Sequence, residues 1–262
     1  RGGSSRIHNN VSRVAAGTAQ ALAGPGVEHV WHNDAQARAF VARHCPRALY
    51  AYDCLRPASF KADVWRYCVM YRKGGVYLDA EDVLLVPLHH LIRPCDDLVL
   101  ALDTCPSAYF GGNAWRKSFS EPCNYTAVQI SFMAATPGHA FFRCALARVI
   151  RNVETGWYGP SKLFPTGPSL AGYCLDKLHH RMDYAMEIVQ GNNELFVERT
   201  PVIHTHVWRR RRTPAAISEN AGTLPKRVDY SRAWDGHRML EERCARAVAS
   251  RTHRDTPAAQ VH

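Results

Sequence analysis

The spacing of apolar residues along the chain changes period near residue 73. From Pro57 to Arg72 apolar side chains recur at helical spacing, with Phe60, Val64, Tyr67, Cys68 and Tyr71 on one face. Trp65, Val69 and Met70 fill much of the remaining circumference, so this helix is expected to be buried rather than to lie on the surface. Pro57 suits its first turn and Gly74 its end. After Gly74-Gly75 the period drops to two. Val76, Leu78 and Ala80 look one way while Tyr77, Asp79 and Glu81 look the other, which predicts a strand running through an acidic cluster. Asp82 points away from that polar face unless the strand bends. The chain shows no internal repeat and no apolar run near the ~20 residues a membrane span needs. From Arg243 onward it is rich in Ala, Arg and Thr with little apolar periodicity. The expected organisation is one folded domain over 1–242, with 243–262 as a surface helix or flexible tail.

Charge inside the buried helix is the first chemical signal. Between Lys61 and Arg72 its only charges are Asp63 and Arg66, three residues apart and therefore neighbours on the helix surface. Buried charges are costly unless paired or engaged with something. A structural ion pair is one reading; the acidic strand that follows favours a site instead. Asp79 and Glu81, with Cα atoms about 6.5–7 Å apart in an extended strand, can both lean toward a hard divalent cation, which takes oxygen ligands.

Ala62-Asp63-x-x-Arg66-Tyr67 followed by Gly74-Gly75-Val76-Tyr77-Leu78-Asp79-x-Glu81 resembles the DXD-containing sugar transferases of glycosyltransferase family 32. That group is related to the yeast outer-chain mannosyltransferases and to the glucosyltransferase domains of clostridial toxins. Other segments are similar to the family too. Ser5-Arg6-Ile7-His8-Asn9 resembles its opening strand, and Val30-Trp31-His32-Asn33-Asp34 its second strand, with Asp34 as a helix N-cap. Phe132 to His139 resembles the stretch before a long helix, Thr166-Gly167-Pro168 a conserved-type turn, and Ile203-His204-Thr205-His206 the closing histidine segment. The resemblance spans roughly residues 5 to 210. It departs from the pattern where Glu81 replaces the second Asp, where Gln129 and Ile130 stand near a usual Asn, and where Trp208 and Arg209 to Arg212 follow the last histidine in place of a Ser-Trp pair.

The resemblance implies an α/β chain of GT-A fold, a Rossmann-like sheet that binds a nucleotide-sugar. It implies a metal-dependent retaining hexosyltransferase acting on a hydroxyl of a glycan or glycoprotein. Mn²⁺ or Mg²⁺ would be held by Asp79 and Glu81 with a late histidine, His204 or His206, and would neutralise the diphosphate leaving group. Asp63, Arg66, Tyr77, Asp79, Gln129 and the Thr166-Gly167-Pro168 turn would bind the donor, and Asp63, Arg66, Asp79 and Glu81 would be the catalytic set. In the family the departing phosphate helps deprotonate the acceptor, so no protein base is needed. The sequence shows no Gly-x-Ser-x-Gly elbow, phosphate loop or His-Glu-x-x-His.

Composition leaves two other readings in play. A formal charge of +10, densest at Arg209 to Arg212, suits a nucleic-acid binder or a Mg²⁺-dependent nuclease built on Asp79, Glu81 and Asp82. The basic residues do not interleave with aromatics on one element, however, and that reading leaves Asp63 and Arg66 without a role; no nucleic-acid partner is expected. The departures at Glu81 and Gln129 also admit a catalytically inactive family member. Nine cysteines form no Cys-x-x-Cys pair, and Cys68 and Cys144 read most simply as small core residues. Their odd number leaves the redox compartment open, and two sequons, at Asn10 and Asn124, add little. Many family members are Golgi luminal, whereas bacterial and viral relatives need not be. The chain has no initiator Met, and a membrane tether outside it is compatible with the sequence.

Overall fold

The computed structural model describes residues 17, 19–80, 82–103, 127–178, 185–190, 194–197, 200–205 and 229–252. The order of elements is α1 (Asp34–His44), α2 (Pro46–Cys54), α3 (Ala58–Lys73), β1 (Gly75–Leu78), β2 (Val83–Leu84), a 3₁₀ turn (Leu88–His90), β3 (Leu98–Leu102), β4 (Val128–Ala135), α4 (Ala140–Thr155), α5 (Pro168–Leu178), β5 (Ala185–Gln190), β6 (Glu194–Val197), β7 (Thr200–His204), α6 (Tyr230–Asp235) and α7 (Glu242–Thr252). Helices and strands combine in a mixed α/β fold. The strands form one sheet in the order β1-β4-β3-β5-β6-β7-β2. Only the β3–β5 pair is parallel among the described strands.

The buried helix forms where the period of 3.6 predicts it. α3 buries Phe60, Val64, Tyr67 and Cys68 together with Asp63 and Arg66. Pro57 is its N-cap and Gly74 its C-cap, the Gly74 N–H donating to the Met70 carbonyl at 3.0 Å. Gly74 has φ +62°, and a Cβ there would lie 2.6 Å from both the Ala135 oxygen and the Pro137 nitrogen. Glycine is therefore required by the close approach of this turn to the end of β4.

The strand after it is shorter than its alternation predicts. β1 ends at Leu78; the Asp79 N–H still donates to Ser131 of β4 at 2.9 Å, but the Asp82 N–H then donates back to the Asp79 carbonyl at 2.9 Å, closing a turn. The geometry of the sheet accounts for this. β1 and β2 are its opposite edges, and in a flat sheet six gaps of about 4.8 Å would hold them roughly 29 Å apart. Five Cα steps from Leu78 to Val83 reach at most about 18 Å. The sheet must curl so that its edges approach, and the acidic residues form the bridge between them.

Two other expectations are corrected nearby. Residues 27–33 form no strand. The N-cap of α1 is Asn33, whose side chain accepts from the Gln36 N–H while the Gln36 side chain accepts from the Asn33 N–H; Asp34 is the first helical residue. The β-region backbone of Asn33 allows this capping box one position earlier than expected.

The larger core lies between the helices and one face of the sheet, built from α1–α5 with Leu98, Leu100, Val128, Ile130 and Met133. A smaller one, around Val99, Phe132, Leu195 and Ile203, lies toward β2, β6 and β7. Among the described residues three disulfides cross the larger core: Cys45–Cys68, Cys54–Cys244 and Cys144–Cys174. Cys68 and Cys144 are thus half-cystines rather than free core thiols, because helix packing brings cysteines distant in sequence to within bonding reach. Cys95 is free and exposed. The expected boundary at 242/243 falls inside α7, where Cys244 is buried and cross-linked to α2 and Val248 packs on the core. Residues 253–262 lie outside the described residues. No described helix is long and apolar enough to cross a membrane.

Candidate active site

At the end of β1 the chain places Asp79 beside the guanidinium of Arg66. Arg66 Nη1 lies 3.2 Å from Asp79 Oδ1, and Nη2 lies 3.3 Å from Asp63 Oδ1. The same Nη1 donates to the Ile130 carbonyl of β4 at 2.7 Å. Tyr77, two residues before Asp79, donates its hydroxyl to Asp79 Oδ1 at 2.6 Å, and its ring lies 4.7 Å beneath the guanidinium. Asp63 Oδ2 accepts the Thr166 hydroxyl at 2.7 Å. One cation therefore joins two carboxylates from a helix and a strand end, and the expected set Asp63, Arg66, Tyr77 and Asp79 is contiguous.

Burial sets the electrostatics. Asp63 and Arg66 are 6% and 7% exposed. Burial pushes the Asp63 carboxyl up to about 6 against the opposing pull of Arg66 and the Thr166 hydrogen bond. For Arg66, burial works against its charge, yet Asp79, Tyr77 and Asp63 together hold its pKa above the ordinary value. Burial, helped by Asp79, raises the Tyr77 phenol well above its usual range, so it stays a hydrogen-bond donor.

Beside this network is a cleft of about 690 Å³, walled by β1, the acidic turn, the C-terminal half of α3 and residues 19–32. Tyr77, Asp79 and Asp82 line it together with Trp31, His32 and Trp65. The Trp65 ring packs on His32 at 5.3 Å and edge-on to Tyr77 at 6.0 Å. Asp82 faces this cleft because the strand bends, and it is fully buried.

Other expected residues stand elsewhere. Asp63 and Arg66 lie beneath Asp79 and do not line the cleft. Gln129 is buried in β4, its side-chain oxygen accepting from the Ser131 N–H at 3.2 Å. Thr166 is fully buried, Gly167 packs against Leu163 and Asp63, and Pro168 opens α5. Glu81 and His206 lie outside the described residues, as do Ser5 to Asn9 and Arg209 to Arg212. The backbone of His204 pairs with Val83, which brings the closing histidine segment next to the acidic turn. Among the described residues no three His, Cys, Asp or Glu side chains cluster as a metal site. Trp65 was missed as a cleft residue, hidden by a helix that reads as apolar all round, whereas Asp82, expected to point away unless the strand bends, lines the cleft because it does bend.

Residues 19–97 match the family model described as "Glycosyltransferase sugar-binding region containing DXD motif". The stretch holds α1, α2, α3, β1 and the acidic turn. That description is of a glycosyltransferase region, and the match is confined to this N-terminal part of the chain. Among solved structures the chain is similar to "PaToxG Glycosyltransferase", at 17% identity and a TM-score of 0.34, over 54% of this chain and 40% of that one. The chain thus spans less than half the length of that relative. No curated protein matches it.

Proposed function

We propose that the protein is a metal-dependent glycosyltransferase of GT-A fold, which moves a hexose from a nucleotide-sugar to a hydroxyl of a glycan or glycoprotein with retention of configuration. The observation that carries this reading is the setting of Asp79. It lies within the matched region, at an aromatic-lined cleft, with Oδ1 held by both Arg66 and Tyr77. The contacts of its carboxylate with Arg66 and Tyr77 both fall on Oδ1, so Oδ2 is the oxygen that would take a hard cation. Mg²⁺ and Mn²⁺ sites of this kind use one or two carboxylates and take further oxygens from substrate phosphates, so the donor set fits. Asp79 would hold the ion with Glu81 and either His204 or His206, and the ion supplies neutralisation of the leaving diphosphate.

The chain's own residues do the rest. Arg66 and Tyr77 fix the Asp79 carboxylate, and Asp63 keeps Arg66 in place. Trp31, His32 and Trp65 offer flat apolar surfaces for a nucleotide base and exclude water from the diphosphate. The acceptor proton leaves with the departing phosphate, so a protein base is not required. The three disulfides favour work in an oxidising compartment such as a secretory lumen.

The test is thermal stabilisation by UDP- and GDP-linked glucose, galactose, mannose and N-acetylglucosamine, each with and without Mn²⁺. A Mn²⁺-dependent rise in Tm with one nucleotide series, abolished in Asp79→Asn while the variant keeps its fold, is the expected result. Asp79→Asn binding as tightly as wild type would remove Asp79 from the site. Silence of the whole panel would overturn the reading.

A further inference from the structure

The Thr166-Gly167-Pro168 turn does not line the cleft, yet buried hydrogen bonds tie it to the site. Two consecutive carbonyls, that of Pro165 just before the turn and that of Thr166 within it, are each held by a buried side chain from a different helix. The Asn152 amide of α4 donates to Pro165 O at 2.9 Å, and the Tyr67 hydroxyl of α3 donates to Thr166 O at 2.8 Å. Both side chains are buried, Tyr67 completely. The Thr166 hydroxyl then donates to Asp63 Oδ2, Asp63 Oδ1 faces Arg66 Nη2, and Arg66 Nη1 faces Asp79 Oδ1. Tyr67 follows Arg66 directly in α3, so one helix both clamps the turn and presents the cation that the turn controls.

We infer that Tyr67 is a positioning residue for the donor site, acting through the Thr166 backbone on the orientation of Asp63 and hence of Arg66 and Asp79. The inference rests on the proposed glycosyltransferase reading and deepens it. Its physical basis is the shortage of alternatives for a buried carboxylate. Asp63 has two described polar partners, Thr166 and Arg66, and losing the alignment of one transfers the burden to the other. If Thr166 moves, Asp63 follows or loses its hydroxyl donor, and the Arg66 fork that fixes Asp79 shifts with it. Displacements of about 1 Å at a reacting centre cost up to the order of a hundredfold.

The experiment uses the nucleotide-sugar of the panel above that stabilises the wild type most, and its free nucleoside diphosphate, both in Mn²⁺. Tyr67→Phe removes one oxygen and keeps the ring that packs beside Phe142. The expected result is a rise in Kd of about tenfold or more for the nucleotide-sugar and a rise for the free diphosphate as well, since both would bind through the ion that Asp79 holds, measured well below the variant's Tm. Thr166→Val should reproduce this loss and Thr166→Ser, which keeps the hydroxyl, should restore binding; this pair decides the matter if Tyr67→Phe fails to fold. A lowered Tm with both Kd values unchanged would show that Tyr67 and Thr166 merely hold the fold, and would overturn the inference while leaving the proposed function standing. A wild type that binds no nucleotide-sugar would overturn both.

Discussion

The two sides of the sheet are built to different standards. Toward α1–α5 the core is broad, its helices are cross-linked by three disulfides, and its polar groups, Asp63, Arg66, Tyr67, Thr166 and Asn152, interlock through short hydrogen bonds. Toward β2, β6 and β7 the core is small, the strands run from two to five residues, and no disulfide occurs among the described residues. Asp79 stands at the border. Its Oδ1 belongs to the braced side, while the turn it opens leads to the thin side, where the closing histidine backbone pairs with β2. The difference teaches that the two flanks of one carboxylate need not share one degree of rigidity: Asp79 is fixed by a covalently braced layer on one side and opens onto lightly packed strands on the other.

Breaking the braced side should have the largest effect. Arg66→Met removes the cation between Asp63 and Asp79 and leaves a buried carboxylate uncompensated, so a loss of about 3–5 kcal/mol is expected in urea unfolding. A loss below ~1 kcal/mol would mean that the carboxylates find other partners. Next in size, replacing Cys54 and Cys244 together by Ser should cost about 2–4 kcal/mol, since this bridge joins residues 190 apart in sequence. If the two sides differ as described, the double variant should also weaken nucleotide-sugar binding less than it weakens the fold. Equal stability with and without the bridge would erase the contrast.

The smallest effect concerns pH. The Asp63 carboxyl titrates near 6 when folded against an ordinary value of 3.8. A raised folded pKa favours the native state most below pH 4, and that advantage is lost as pH rises through 6, because the unfolded chain releases its proton first. The stability of Asp63→Asn relative to wild type should therefore improve between pH 4 and 6.5, by on the order of 1–3 kcal/mol. A flat difference, followed by urea unfolding at four pH values, would show that Asp63 is already ionised at acid pH.

Much of the braced side was legible in the sequence, and its failures have identifiable causes. The expected helix over 57–72 and the observed Ala58–Lys73 nearly coincide, because apolar period, proline and glycine all agree there. The pairing of Asp63 with Arg66 followed from their spacing on that helix. The strand through Glu81 failed since a period of two cannot report that the sheet curls and its edges must meet within five residues. The disulfides were illegible because separations of 23, 30 and 190 residues carry no local pattern. Thr166 was recognised by its motif, but its burial beneath Asp63 rather than in the cleft wall was not legible, as a motif records which residues recur and not which face they present.

The bond between Cys54 and Cys244 turns most of the chain into a closed ring. A protease that cuts once anywhere between these two residues severs the backbone without separating the pieces. The nicked protein would migrate as a single species under denaturing conditions and fall into two only when thiol is added. A single cut within the ring is then damage that leaves the molecule whole.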